Sequence, residues 1–145
     1  MSGTIYIRPI SVKDAVPVTA LSLELGYKMT VSDTIANIGS VDKSICDVSY
    51  VALIGEVVVG WIHVFYTIRM ESGPFCEIGG LVVSKDMHGK GVGRQLVEKA
   101  RKWAAERNCN RLLVRCNILR EGAHEFYNKS GFKENKTQKV FECIV

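Results

Sequence analysis

Apolar positions recur along this chain with two different periods, and the changes of period mark its elements. Ile5-Tyr6-Ile7-Arg8 alternates and stops at Pro9, which predicts a short first strand. Ser11, with Asp14 three residues on, has the form of a helix capping box, and Val18, Leu21 and Leu25 follow at helical spacing up to Gly26. Ser32 or Asp33 starts a second helix carrying Ile35 and Ile38. Two strands over residues 48–54 and 57–66 flank Gly55-Glu56, a two-residue hairpin turn with glycine first, and Gly60 marks a bulge in the second of them. After a turn at Ser72-Gly73-Pro74, residues 75–83 form an almost wholly apolar run, as expected of a central strand.

The second half continues the alternation of element types. Val92, Leu96, Val97, Ala100, Trp103 and Ala104 share one face of a helix, while Arg94, Lys99, Arg101, Lys102 and Glu106 point away, and Asn108 ends it. Residues 111–116 read as a strand, Ala123, Phe126 and Tyr127 lie on a short helix ending at Gly131, and residues 140–145 read as a closing strand. The order β-α-α-β-β-β-α-β-α-β is that of an α/β domain with a mixed sheet.

Composition narrows the class. The 145 residues, 47% hydrophobic and 23% charged, suit one globular domain over 1–145. No apolar run reaches the roughly 18 residues of a membrane span, and the first residues lack an apolar signal core, so no membrane partner and a cytoplasmic location are expected. The five cysteines (Cys46, Cys76, Cys109, Cys116, Cys143) include no Cys-x-x-Cys pair, and His63, His88 and His124 have no metal-ligand spacing. The expectation is buried free thiols at Cys76, Cys116 and Cys143, and no metal. The net charge of +4 is uneven: residues 1–80 carry −3 and residues 81–145 carry +7. A basic half suits a polyanionic ligand, and a phosphorylated cofactor fits better than nucleic acid, because no aromatic stacking platform interleaves the basic residues.

The chemistry centres on His88-Gly89-Lys90-Gly91-Val92-Gly93, between the central strand and a helix. Glycines let ligand phosphates approach the backbone, and the first N–H groups of a helix are unpaired and partly positive, so this loop is an anion site that Lys90 and Arg94 reinforce. The P-loop string is absent, and the dinucleotide fingerprint counted from Gly89 places Arg94 where its last glycine belongs. What remains is the pattern [RQ]-x-x-G-x-[GA] after a Leu/Val-rich strand. Further on, Asn117 and the run Ala123-His124-Glu125-Phe126-Tyr127-Asn128-Lys129-Ser130-Gly131-Phe132 complete a second motif, N…A-x-x-F-Y-x-x-x-G-F.

With these two motifs the chain resembles the GNAT superfamily of acetyltransferases, most closely from about Glu77 to Phe132. The resemblance implies a mixed, mostly antiparallel sheet flanked by helices, with splayed central strands that bind acyl-CoA. It implies acetyl-CoA as co-substrate, held by the backbone of Leu81, Val82 and Val83, by the loop from His88 through Arg94, and by Asn117 and Tyr127. His88 departs from the usual Arg or Gln, so a long-side-chain phosphate contact is expected to be missing.

Transfer of an acetyl group to an amine needs a base, an oxyanion donor and an acid for the thiolate. Tyr127 suits the acid, a backbone N–H near Leu81, Val82 and Val83 the donor, and Gly79-Gly80 the local distortion. Glu77, the only carboxylate of the central strand, is the candidate base, directly or through water. His124 and His63 are read as structural, and Trp61 and Phe65 share His63's face. The acceptor expected is a small cationic amine, facing acids such as Glu24, Asp33, Asp42 and Glu71. A peptide N-terminus or lysine is the alternative acceptor, and a non-catalytic coenzyme A sensor the alternative function. The apolar residues 140–145 offer an edge for a homodimer.

Overall fold

Ser11 and Asp14 do form a capping box, and it does more than start a helix. In the computed structural model, which describes residues 3–116 and 121–145, Ser11 N donates to Asp14 Oδ2 at 2.8 Å. Arg8, on strand β1 (Ile5–Pro9), grips the same carboxylate with both guanidinium nitrogens at 2.8 Å. The box caps a single 3-10 turn, Val12–Asp14, that feeds helix α1 (Ala15–Glu24). Helix α2 (Val31–Lys43) has a second capping box, made by Thr30 and Asp33, so it begins slightly before the expected Ser32 or Asp33. Ile38 is buried, whereas Ile35 is exposed.

The strands then build a five-stranded sheet in sequential order: β1, β2 (Asp47–Ile54), β3 (Val57–Arg69), β4 (Gly73–Val83) and β5 (Leu112–Val114). The first three pairings are antiparallel and β4 pairs β5 in parallel, a mixed and mostly antiparallel sheet. Gly55 turns the β2–β3 hairpin at φ 61°, which suits a turn with glycine first. The bulge expected at Gly60 falls one residue earlier: Ala52 pairs Gly60 and Leu53 pairs Val58, leaving Val59 as the extra residue.

Period-two alternation divides the sheet into two faces. A Cβ on Gly60 would meet Val92 and Leu96, so helix α3 (Val92–Glu106) covers the face of Gly60, Ile62 and Val64. Val92, Leu96, Val97, Ala100, Trp103 and Ala104 are all buried there, as their spacing predicts. The opposite face carries Val51 and Trp61. Val51 is buried with Ile10, Ala15, Val18 and Ile38, so α1 and α2 cover it, and Trp61 Nε1 donates to Ser22 Oγ of α1.

Met1–Val114 and Arg115–Val145 form two compact units. The second contains helix α4 (Glu121–Lys129), where Phe126, Tyr127 and Phe132 stack edge to face, and Gly131 takes φ 92° at its end. Two expectations fail in the second half. The strand expected over 111–116 shortens to Leu112–Val114, and residues 140–145 form no strand, leaving Val140, Phe141, Ile144 and Val145 exposed. Alternating apolar residues favour extended chain, but a strand exists only where a neighbouring backbone completes its ladder.

The Asp14 linkage has a measurable consequence. The Arg8 hydrogen bonds hold the Asp14 carboxyl below its ordinary value, against the opposing effect of burial and with help from Ser11 N–H. Because the folded-state value is depressed, its contribution is complete above the ordinary aspartate range and is lost as pH falls through the folded value. Asp14→Asn is expected to destabilise the protein by about 1–3 kcal/mol at neutral pH. In chemical denaturation the gap between wild type and variant should narrow as pH drops below about 4.

Candidate active site

Strand β4 changes its hydrogen-bonding direction halfway along, and this creates the site. Its first part pairs with β5 through Cys76, Glu77 and Ile78. Beyond Ile78, among the described residues, no strand pairs with that edge. On the other side, His63 of β3 pairs Gly80 while Val64 pairs Ile78, so Gly79 is an extra, bulged residue. Cys76 N donates to Arg111 O, toward β5, whereas Ser84 N donates to Val59 O, toward β3. With strict alternation both even-numbered residues would point the same way, and the bulge reverses the phase. Gly80 and Val82 therefore turn their backbone groups to β3, and Leu81 and Val83 turn theirs to the open edge. Of the three residues expected to offer backbone to a ligand, Val82 is the one whose N–H and C=O are already committed; its side chain is buried.

The open edge leads into the glycine loop. Gly89 (φ 77°) and Gly91 (φ 89°) are both left-handed, and a Cβ at either would meet nothing within 4 Å. Their absence of side chains serves backbone conformation and open space above it. Gly91 is the N-cap of α3 and has no side chain with which to cap it. The N–H groups of Val92, Gly93 and Arg94 thus stay available for an external anion at the positive end of a fifteen-residue helix. Val92 has its side chain in the core, so any ligand contact it makes is through its backbone. Lys90 and Arg94 are exposed beside the loop. His88 does not reach outward: Nε2–H donates to Val83 O at 3.0 Å, bracing the loop against the end of β4. Glu24 adds a second brace by accepting Lys85 N at 2.7 Å. Glu24 and Asp33, two of the acids expected to face an acceptor, are thus tied to backbone amides.

The α1/α2 face of β3 and β4 carries the polar groups. Glu77 lies opposite Phe65 and is buried. His63 and Trp61 continue the row, over Gly79 and Gly80. A Cβ on Gly79 would lie 2.7 Å from His63 Nδ1, and one on Gly80 would lie 2.8 Å from the Trp61 ring. His63, read from the sequence as a structural histidine, donates from Nε2–H to Asp47 Oδ2 at 2.7 Å. Asp47 Oδ1 accepts from Ser44 Oγ at 2.6 Å. No spacing rule could have shown this, since Asp47 and His63 meet only through the β2–β3 register. Burial pushes the Asp47 carboxyl up, but the hydrogen bonds from Ser44 and His63 together hold it below its ordinary value.

Tyr127 belongs to the second unit, where its ring packs between Phe126 and Phe132 and its carbonyl accepts Phe132 N. Asn117 lies outside the described residues. The thiols are only partly as expected. Cys76 is buried and its thiol is pushed up to about 12 by burial and by Cys109, whereas Cys116 is half-buried and Cys143 exposed. No group of acidic, histidine or cysteine side chains among the described residues could hold a metal ion.

The sequence matches the profile of the acetyltransferase (GNAT) family over residues 29–132. It is 31% identical, over 49% of its length, to an uncharacterised N-acetyltransferase of Methanocaldococcus jannaschii, covering 31% of that relative. It is 28% identical, over 46% of its length, to the chloroplastic GCN5-related N-acetyltransferase 7 of Arabidopsis thaliana, covering 24% of it. These matches span under a third of the curated relatives. The fold superposes on aminoglycoside N-acetyltransferase AAC(6')-Iy in complex with CoA with a TM-score of 0.89 at 15% identity, covering 99% of this chain and 97% of the other. AAC(6')-Ih of Acinetobacter baumannii gives 0.86 at 15% identity, covering 98% and 99%.

Gly91 offers a direct test of the cradle. Gly91→Ala puts a side chain on a left-handed residue, at a cost of about 1–2 kcal/mol, and projects a methyl group into the open space above the helix start. Thermal unfolding should detect the strain, and calorimetry should show coenzyme A affinity reduced about tenfold, the equivalent of about 1.4 kcal/mol.

Proposed function

The chain belongs to the acetyltransferase (GNAT) family, and from that premise we propose that it moves an acetyl group from acetyl-CoA to a primary amine of a small cationic molecule, by direct attack in a ternary complex. The observation that carries this reading is the open β4 edge running into the glycine-led helix start. Leu81 offers its N–H and C=O, and Val83 its N–H, to an amide-bearing arm lying alongside as an added strand. Gly89, Lys90, Gly91 and the first N–H groups of α3 receive the pyrophosphate. His88 contributes by holding the loop to Val83, in place of a long side chain that would touch phosphate. Asn117 completes the hold on the pantetheine arm, as the family resemblance implies.

The chemistry falls to a few groups. Acetyl-CoA supplies a thioester, whose carbonyl would be activated by a backbone N–H at the bulged end of the open edge. Glu77 is a base, directly or through water. Tyr127 protonates the departing thiolate; a phenol and a thiol have similar ordinary acidities, so the transfer is not uphill. The small-molecule acceptor is supported by the shared fold with aminoglycoside acetyltransferases, one of them solved with a bisubstrate analogue joining coenzyme A to acetylneamine. A peptide amine is the second acceptor class. The exposed Val140, Phe141, Ile144 and Val145 support a homodimer in which this segment pairs with a second copy.

Thiol release from acetyl-CoA, measured against polyamines, aminoglycosides, amino acids and peptides, tests the reading. Free thiol should appear only with an amine present. Tight coenzyme A binding without turnover on any amine points instead to a sensor. Tyr127→Phe should lower kcat about 100-fold and leave coenzyme A affinity within about twofold. Full kcat/KM in Glu77→Gln from about pH 6 to 9 excludes Glu77 as a base.

A further inference from the structure

The acceptor nitrogen must shed two protons, one from the ammonium before attack and one from the adduct after it. Glu77 is one acceptor on this face; the geometry points to His63 as the other. We propose that His63 Nδ1 takes the first proton from the acceptor ammonium, with Asp47 and Ser44 as positioning residues. This rests on the acetyltransferase reading above.

Asp47 is held ionised by two hydrogen bonds, and a carboxylate only accepts, so His63 must present Nε2–H to Oδ2. In the neutral ring Nδ1 then carries the lone pair. Nδ1 has no hydrogen-bond partner among the described residues. It stands where a side chain on Gly79 would be, over the bulged residue at the start of the open edge. The His63 side chain is 29% exposed, enough for a ligand to reach it. Behind it, Asp47 is fixed in turn: Ser44 Oγ donates to Oδ1, and Cys46 N donates to Ser44 Oγ at 3.1 Å. Ser44 is the C-cap of α2, so the chain of bonds is anchored on a helix end. A base oriented by a carboxylate that is itself held by a third group is the arrangement proton transfer requires.

The charged groups on this face include Asp47 of β2, Glu77 of β4, the Arg8–Asp14 pair of β1 and the start of α1, and Arg69 farther along β3. Trp61 and Phe65 flank His63 on β3, Ser49 opposes it on β2, and α1 and α2 turn Val18, Ser22, Thr34 and Ile38 inward. The steps balance. His63 takes one proton from the ammonium and later yields it to solvent. The freed lone pair forms the C–N bond, Glu77 takes the adduct's proton, and the C–S bond breaks. Tyr127 protonates the sulfur and is reprotonated from solvent, to which Glu77 yields its proton. The products are an amide, a free thiol and one proton.

The test is kcat/KM from about pH 5 to 10 with an amine turned over by the wild type, comparing His63→Gln, Asp47→Asn and Ser44→Ala. With His63 as proton acceptor, wild-type kcat/KM should level off well below the pH at which the free acceptor amine loses its own proton. His63→Gln should be about 100-fold slower at pH 7 and should keep rising toward pH 10 as the amine loses its own proton. Asp47→Asn should lose about tenfold or more by permitting the wrong tautomer, with Ser44→Ala between it and wild type. Nitrogen-15 NMR, which needs no turnover, should report Nε2–H neutral His63 in the wild type and a mixed tautomer in Asp47→Asn. Coenzyme A affinity and Tm close to wild type show that the fold is kept. A wild-type pH profile in His63→Gln, or protonation at Nδ1 in the neutral ring, overturns this inference and leaves the acetyltransferase reading standing. Absence of wild-type turnover on every amine overturns both.

Discussion

One extra residue in β4 governs the rest of the site. Before Gly79 the strand is an interior one, paired on both sides; after it the backbone phase is reversed and, among the described residues, one edge is open. The bulge needs glycine for a steric reason, because a Cβ there would collide with the His63 ring and one at Gly80 would collide with Trp61. The same two positions therefore break the ladder, free an edge and let aromatic and imidazole side chains lie close over the strand. Unpaired backbone in a sheet interior is costly, so an open edge of this kind is retained where a ligand supplies the missing partner.

The two faces of the sheet have separate duties. The α3 face is dry packing, and burying Val92, Leu96 and Val97 fixes the direction in which the helix start points. The α1/α2 face combines packing at Val51 and Trp61 with a polar row at Asp47, His63 and Glu77. His88 and Glu24 join the parts by binding the backbone of Val83 and Lys85 on either side of the loop entry. A loop braced at both points presents its amides in one arrangement, which lowers the ordering cost of binding an anion.

Much of this was legible in the residues because it rests on local rules. The capping box of Ser11 and Asp14, the amphipathic stripe of α3, the hairpin at Gly55 and the glycine spacing at 89, 91 and 93 each depend on neighbours within a few positions. Residues 140–145 show the limit of that reasoning. Their apolar alternation is real, yet it forms no strand, because pairing depends on a partner that hydropathy does not name.

His63 shows the limit from the other side. Alternation places it correctly on the face of Trp61 and Phe65, but its chemistry comes from Asp47, which reaches it through strand register, and from Gly79, which reaches it through a bulge. The residues alone determined the family resemblance, the glycine-led helix start and the identity of the groups able to carry protons, since those follow from composition and short-range spacing. Only the tertiary structure decided which backbone groups of β4 face outward, that His88 braces the loop, and that His63 meets Asp47. Hydrogen bonds between distant residues are set by register and packing, and neither is written in local sequence.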